Sequence, residues 1–152
     1  SVRTVGLDPL SEKRSDSARR LHLDDPDACC ELRKVKVLDH ALRDYDGWVS
    51  GQKRYQSRER SKIDRVEWDR ARGKWKFNPL ADWGTSDLLT YQTQHKMPAH
   101  PLASVGYLSV GCSPCTTPVK SGEDMRAGRW RQHGKLECGL HRPTDLIVAT
   151  GG

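Results

Sequence analysis

Apolar side chains are scarce in this chain: only 35% of its residues are hydrophobic, with one phenylalanine and two methionines among 152 positions. A protein that buries a full core by itself normally has more, so these residues are expected to be part of a larger folded unit. No long apolar run is present. Leu146 to Ala149 is the longest stretch near the end, far short of the ~20 residues that a membrane-spanning helix needs. The sequence opens at Ser1, with no methionine and no charged and apolar leader before it, which reads as a piece of a longer product without a secretory signal. Internal repeats and low-complexity tracts are missing too. Five cysteines cannot all pair, and without secretory features a reducing, cytoplasmic setting is expected, where metal or thiol chemistry is the usual use of cysteine.

What is abundant is positive charge. Lysine and arginine fill 26 positions and the net charge is +6, which predicts attraction to anions: a nucleic acid, a phosphorylated small molecule or an acidic partner.

A polar opening from Ser11 to Arg20 reads as a helix or an arm. At Asp25 the signals sharpen, because an Asp N-cap, Pro26 at the first helical position and Asp27 in the first turn suit a helix start. Ala28, Leu32, Val35, Leu38 and Leu42 follow at three- and four-residue spacing and predict one buried stripe on a helix running to about Asp44. "DGWVSG" reads as a short strand entering a glycine turn, and "QKRYQSRERSKIDR" as a basic loop. "RVEWD" and "KWKF" around "RARG" predict a hairpin turning at Gly73. A second helix is expected over roughly Ser86 to Lys96, closed by Pro98. Beyond it, repeated Pro and Gly predict loops. Trp48, Trp68, Trp75 and Trp83 read as core and strand-packing residues, and His22, His40, His95, His100 and His133 as surface or packing residues.

Four cysteines fall into two pairs, Cys29–Cys30 on the first helix and the C-x-x-C of Cys112 and Cys115; Cys138 stands apart near the C-terminus. Chance burial, a zinc site and an iron–sulfur cluster compete for the pairs. Successive helical residues diverge by about 100°, which makes it awkward for Cys29 and Cys30 to place both sulfurs about 2.3 Å from one zinc ion. A [4Fe–4S] cube relieves that difficulty, since each thiolate can take a different iron. The helix N-terminus and Arg33, Lys34 and Lys36 would offset its negative charge.

"DPDACCELRKVKVLDHAL", "WVSGQKRYQS", "KFNPLADW", "GYLSVGCSPCTTPV", "GEDMRAGRW" and "ECGLH", in this order, resemble the C-terminal part of the assimilatory, iron–sulfur adenylyl-sulfate reductases. The resemblance spans roughly Asp25 to His141. It implies an α/β fold, the C-terminal part of a PP-loop-type, adenine-nucleotide alpha-hydrolase-like sheet flanked by helices. Residues 1–24 would be a lead-in from an absent N-terminal half, 25–141 the region with the cluster and catalytic motif, and 142–152 a tail. The activity implied is thioredoxin-dependent reduction of adenosine 5′-phosphosulfate (APS) to sulfite and AMP, with a separate thioredoxin as reductant. Cys138 would form an S-sulfocysteine, Cys29, Cys30, Cys112 and Cys115 would hold a [4Fe–4S] cluster, and Lys34, Arg60, Arg126, Arg129 and His141 would contact substrate, with Arg58 the neighbouring alternative to Arg60.

The chemistry of these positions agrees with such roles. A nucleophilic cysteine works as its thiolate, which nearby cations favour, and Arg126, Arg129 and His141 lie close to Cys138 in sequence. Lys34, one helical turn after Cys30, is placed to bridge cluster and substrate. The Ser-Gly-Gly-x-Asp-Ser phosphate loop of the family is not among the 152 residues, so the chain by itself is expected to be inactive and marginally folded. Two rival readings are a cluster-free reductase of 3′-phosphoadenylyl sulfate, which lacks the paired cysteines, and a non-catalytic zinc module binding nucleic acid through Lys53 to Arg65.

Overall fold

A computed structural model describes residues 2–141; the expected tail at 142–152 lies outside the described residues. The polar opening begins as a helix, α1 (Pro9–Ser15), because Asp8 accepts the amide of Ser11 at 2.8 Å and Pro9 occupies the first helical position. Asp16 then accepts the amides of Arg20 and Leu21 at 2.8 and 3.0 Å, turning the chain into α2 (Leu21–Asp24). Asp25 caps α3 (Pro26–Cys30) by accepting the Ala28 amide at 2.9 Å, as its sequence predicts.

The helix continues to Ala41, but not as one α-helix. Glu31–Val35 forms a π-turn, and α4 (Lys36–Ala41) resumes the tighter winding. Such wide turns are rare and concentrate at functional sites; this one begins at the residue after Cys30. The expected stripe survives, with Leu32, Val35 and Leu42 buried at 7%, 1% and 9% exposure, and the helical run stops three residues short of Asp44.

Three short strands form a mixed sheet in the order β1 (Gly47–Val49), β3 (Lys74–Phe77), β2 (Val66–Asp69). β1 runs parallel to β3, and β2 pairs antiparallel with it, Trp68 opposite Trp75. Gly73, at φ +63°, makes the predicted hairpin turn. The two faces invert the usual arrangement. Lys76, Asp69 and Glu67 point inward, where Lys76 meets Glu67 at 2.8 Å and fully buried Asn78 bonds Ser50, Glu67 and the Asp64 carbonyl. Outward stand Val49, Val66, Trp68, Trp75 and Phe77, between 41% and 70% exposed. Trp68 and Trp75 therefore pack edge to face on each other, 5.0 Å apart, on an open surface. The expectation of a core role fails for them because strand alternation sends them to the face that nothing described covers.

The second helix, α5, spans Thr85–Gln94, close to the expected bounds. Two 3-10 turns, Arg54–Gln56 and Arg58–Arg60, interrupt the basic loop after β1, and the chain after α5 is loop with two more, at Pro101–Val105 and Ser113–Cys115, tied together by a bridge between Thr116 and Arg129. Among the described residues no helix is long and apolar enough to cross a membrane.

Candidate active site

Cys29 and Cys30 close α3, and the C-x-x-C loop turns tightly enough for the Cys115 amide to donate to the Cys112 carbonyl at 3.0 Å. All four thiols line one cavity of about 410 Å3, together with Pro26, Pro114 and Trp130. Trp130, 2% exposed, is the largest of the fully buried side chains, and its amide donates to the Cys115 carbonyl at 2.9 Å. Burial pushes the thiols of Cys30 and Cys115 upward, opposed at Cys30 by the charges of Lys34 and Lys135.

The basic residues behind the pair divide. Arg33 places Nη1 3.9 Å from the Cys29 sulfur and is held by Glu12 and Asp16 at 2.9 Å each. Lys34 borders the cavity. Lys36, expected to share that duty, instead lines a groove against α1 with Gly6 and Arg14, because the helix carries it around to the other side. Lys135 takes its place; it pairs with Asp27 and lies 5.8 Å from the Trp130 ring.

Among the described residues no three His, Cys, Asp or Glu side chains gather tightly enough for one metal ion. Four thiols spread around a cavity suit a polynuclear cluster, whose irons are separate binding points, better than one tetrahedral zinc.

On the far side of Lys34 opens a cleft of about 510 Å3. Lys34, Arg60, Arg126, Arg129, Cys138 and His141, drawn from widely separated segments, all line it. Arg58 does not; it faces a neighbouring groove with Arg131. Arg129 donates to the Val110 carbonyl at 3.0 Å, stacks 4.5 Å from the Trp130 ring centre and lies directly over Gly111, where any side chain would collide with its guanidinium. Cys138, 9% exposed, lines this cleft while packing against Cys30 and Trp130, two residues that line the thiol cavity.

His141 stacks on Trp48, rings 5.4 Å apart and nearly parallel. Burial, followed by the charges of Lys76, Arg60 and Arg72, pushes its pKa down to about 3. The ring is therefore neutral at pH 7, and the cationic help expected from it at Cys138 falls to the arginines. Arg72, 4% exposed at its side chain, pairs with Asp69 and Asp39 and donates to the Leu140 carbonyl at 3.0 Å.

Glu137, which the sequence reading passed over, is the one acidic residue lining the cleft among the described residues. Arg60 grips its carboxylate through Nε and Nη2 at 2.8 and 2.9 Å, and Arg126 approaches at 3.2 Å. Its place beside Cys138 in "ECGLH" was the available signal. For Trp130 it was the position next to Arg129.

The sequence profile of the phosphoadenosine phosphosulfate reductase domain matches residues 8–118. The chain is 46% identical over 143 residues to an adenosine 5′-phosphosulfate reductase of Streptomyces coelicolor, covering 92% of this chain and 61% of that protein. It is 45% identical over 134 residues to a phosphoadenosine 5′-phosphosulfate reductase of Gloeobacter violaceus, covering 87% and 56%. A crystal structure of phosphoadenylyl-sulfate reductase from Candida auris, in complex with phosphate, superposes with a TM-score of 0.55 at 24% identity, over 72% of this chain and 50% of that one. The chain thus spans about half to three fifths of the relatives it matches, and its α/β fold is that of part of such a reductase. The family profile ends before the segment that holds Arg126, Arg129, Cys138 and His141.

Proposed function

The chain belongs to the phosphoadenosine phosphosulfate reductase domain family, and on that premise we propose that it carries the nucleophile and cluster-binding region of an assimilatory, cytoplasmic enzyme reducing APS to sulfite and AMP. The single observation that supports this most is the position of Cys138: it lines a cleft of four cations and packs against Cys30 of the four-thiol cavity.

In this reading Lys34, Arg60, Arg126 and Arg129 bind the phosphosulfate and stabilise the charge that accumulates on the departing phosphate. The Cys138 thiolate attacks sulfur, the S–O bond to AMP breaks, and the sulfonate remains on Cys138 as S-sulfocysteine. A thioredoxin thiolate then attacks the Cys138 sulfur, releasing sulfite and leaving a mixed disulfide. The second thioredoxin thiol resolves it, so the two electrons come from the dithiol and Cys138 returns reduced. Neutral His141, fixed on Trp48, orients the segment after Cys138 rather than adding charge to it.

Cys29, Cys30, Cys112 and Cys115 would hold a [4Fe–4S] cluster, which when bound adds a local electrostatic field beside the substrate. Lys34 borders both the thiol cavity and the cleft and so can relay that field to the anion. The four thiols favour APS over its 3′-phosphorylated counterpart, and their spread around a cavity weighs against the zinc module.

The test joins residues 1–152 to the N-terminal part of a relative that carries the phosphate loop and incubates the fusion with APS. Peptide mass spectrometry is expected to find the sulfonate on Cys138, with sulfite released on adding reduced thioredoxin. Transfer of sulfonate to another cysteine, or none at all in a folded fusion, defeats the reading. The 152 residues without the fusion are expected to form none.

A further inference from the structure

The segment that bears Cys138 is held at several points. Arg126 Nη2 donates to the Leu136 carbonyl at 2.9 Å, Arg60 and Arg126 grip Glu137, Arg72 holds the Leu140 carbonyl, and Trp48 stacks on His141. The Leu136 and Glu137 contacts use arginines that an incoming anion would also need, whereas the Leu140 and His141 contacts do not, and Glu137 is the one of these four that meets both arginines. Arg60 and Arg126 are each 12% exposed at the side chain and Glu137 21%. This is therefore a largely desolvated, charge-assisted set, in which two crowded guanidiniums left without a carboxylate would be poorly compensated. Burial, with the nearby charges of Arg60 and Arg129, weighs against the charged form of Arg126, and Glu137 is the leading influence that restores it.

We propose that Glu137 is a positioning residue that acts as an internal stand-in for the substrate anion: with the cleft empty it orients Arg60 and Arg126 and keeps Cys138 packed inward, and a polyanionic group displaces it. Displacement frees the Glu137 end of the segment, while Arg72 and Trp48 keep the other end seated. Cys138 becomes accessible when an anion is present to receive it. The proposal rests on the reading that this cleft takes a phosphosulfate.

The fusion of residues 1–152 to the N-terminal part of a relative serves for the test, with inorganic pyrophosphate as the probe and iodoacetamide labelling of Cys138 followed on its own peptide. Saturating pyrophosphate is expected to speed labelling of Cys138 by about fivefold, while sodium chloride at the same ionic strength does not. Glu137→Gln, which weakens the hold on both arginines, is expected to label about tenfold faster without pyrophosphate and to bind pyrophosphate more tightly. Equal rates in pyrophosphate and chloride overturn the proposal, as does a folded Glu137→Gln protein that labels at the unaltered rate. Where circular dichroism finds Glu137→Gln unfolded, the pyrophosphate titration of the unaltered fusion decides. Failure of the reductase reading looks different: pyrophosphate still accelerates labelling while the fusion with APS yields no S-sulfocysteine. Sulfonate transfer with labelling indifferent to pyrophosphate removes the stand-in role and leaves the function intact.

Discussion

The four thiols of one cavity come from two local turns, whereas the cleft beside it collects its cations from the wide turn Glu31–Val35, the 3-10 turn Arg58–Arg60 and the loops that hold Arg126 and Arg129. That difference in assembly separates what local spacing reveals from what only the folded chain reveals. Adjacent cysteines on a capped helix and a C-x-x-C loop announce themselves. A cleft whose members lie up to about a hundred residues apart does not, and Arg60 was placed through family likeness rather than through any pattern of its own. The two sites also differ in what they tolerate: the proposed cluster needs all four sulfurs, while the cleft needs one sulfur and a balance of charge.

Exchanging cysteines between these roles tests the separation most severely. In the fusion, Cys138→Ser is expected to abolish S-sulfocysteine while leaving the brown colour obtained by anaerobic reconstitution with iron and sulfide. Cys30→Ser is expected to bleach that colour. Bleaching by Cys138→Ser would make it a ligand and merge the two sites. Next in size are the arginines. Arg60→Ala or Arg126→Ala removes a charge-assisted contact of about 1.5–3 kcal/mol, so the KM of the fusion for APS is expected to rise about 10- to 100-fold with the iron content unchanged.

The pH dependence of folding comes third. His141 is held neutral in the fold, with a pKa of about 3 against an ordinary 6.5. The unfolded chain therefore takes up the proton first: the contribution of this group is complete above about pH 6.5 and is lost as the pH falls toward 3. At up to about 1.4 kcal/mol per pH unit, urea unfolding at pH 5 compared with pH 7 is expected to show a loss of about 1–2 kcal/mol that His141→Gln removes. The smallest effect is expected at Gly111, one residue before Cys112. Gly111→Val must move the Arg129 guanidinium, the end of a flexible side chain. We expect about a fivefold weaker KM with Tm within a few degrees of the parent.

Much of the fold was legible for identifiable reasons. Asp25 and Pro26 fix a helix start by backbone chemistry that does not depend on distant partners, and Gly73 does the same for the hairpin. The wide turn at Glu31–Val35 was not legible, since its residues suit an ordinary α-helix and tertiary packing decides the register. Trp68 and Trp75 misled because alternation says that residues share a face without saying which face is covered. Glu137 was hidden for a different reason. An acidic residue in an anion-binding motif looks incidental until its partners, Arg60 and Arg126, are seen to be the same groups the anion would use.

The inverted sheet also has a practical side. Val49, Val66, Trp68, Trp75 and Phe77 form a contiguous oily surface, and β1 pairs with a neighbour on one side only among the described residues. A polypeptide displaying both is prone to stick to its own copies as concentration rises. Light scattering that climbs with protein concentration and subsides after Trp68→Lys or Phe77→Glu would make this face, rather than the abundant positive charge, the determinant of how these residues behave in solution.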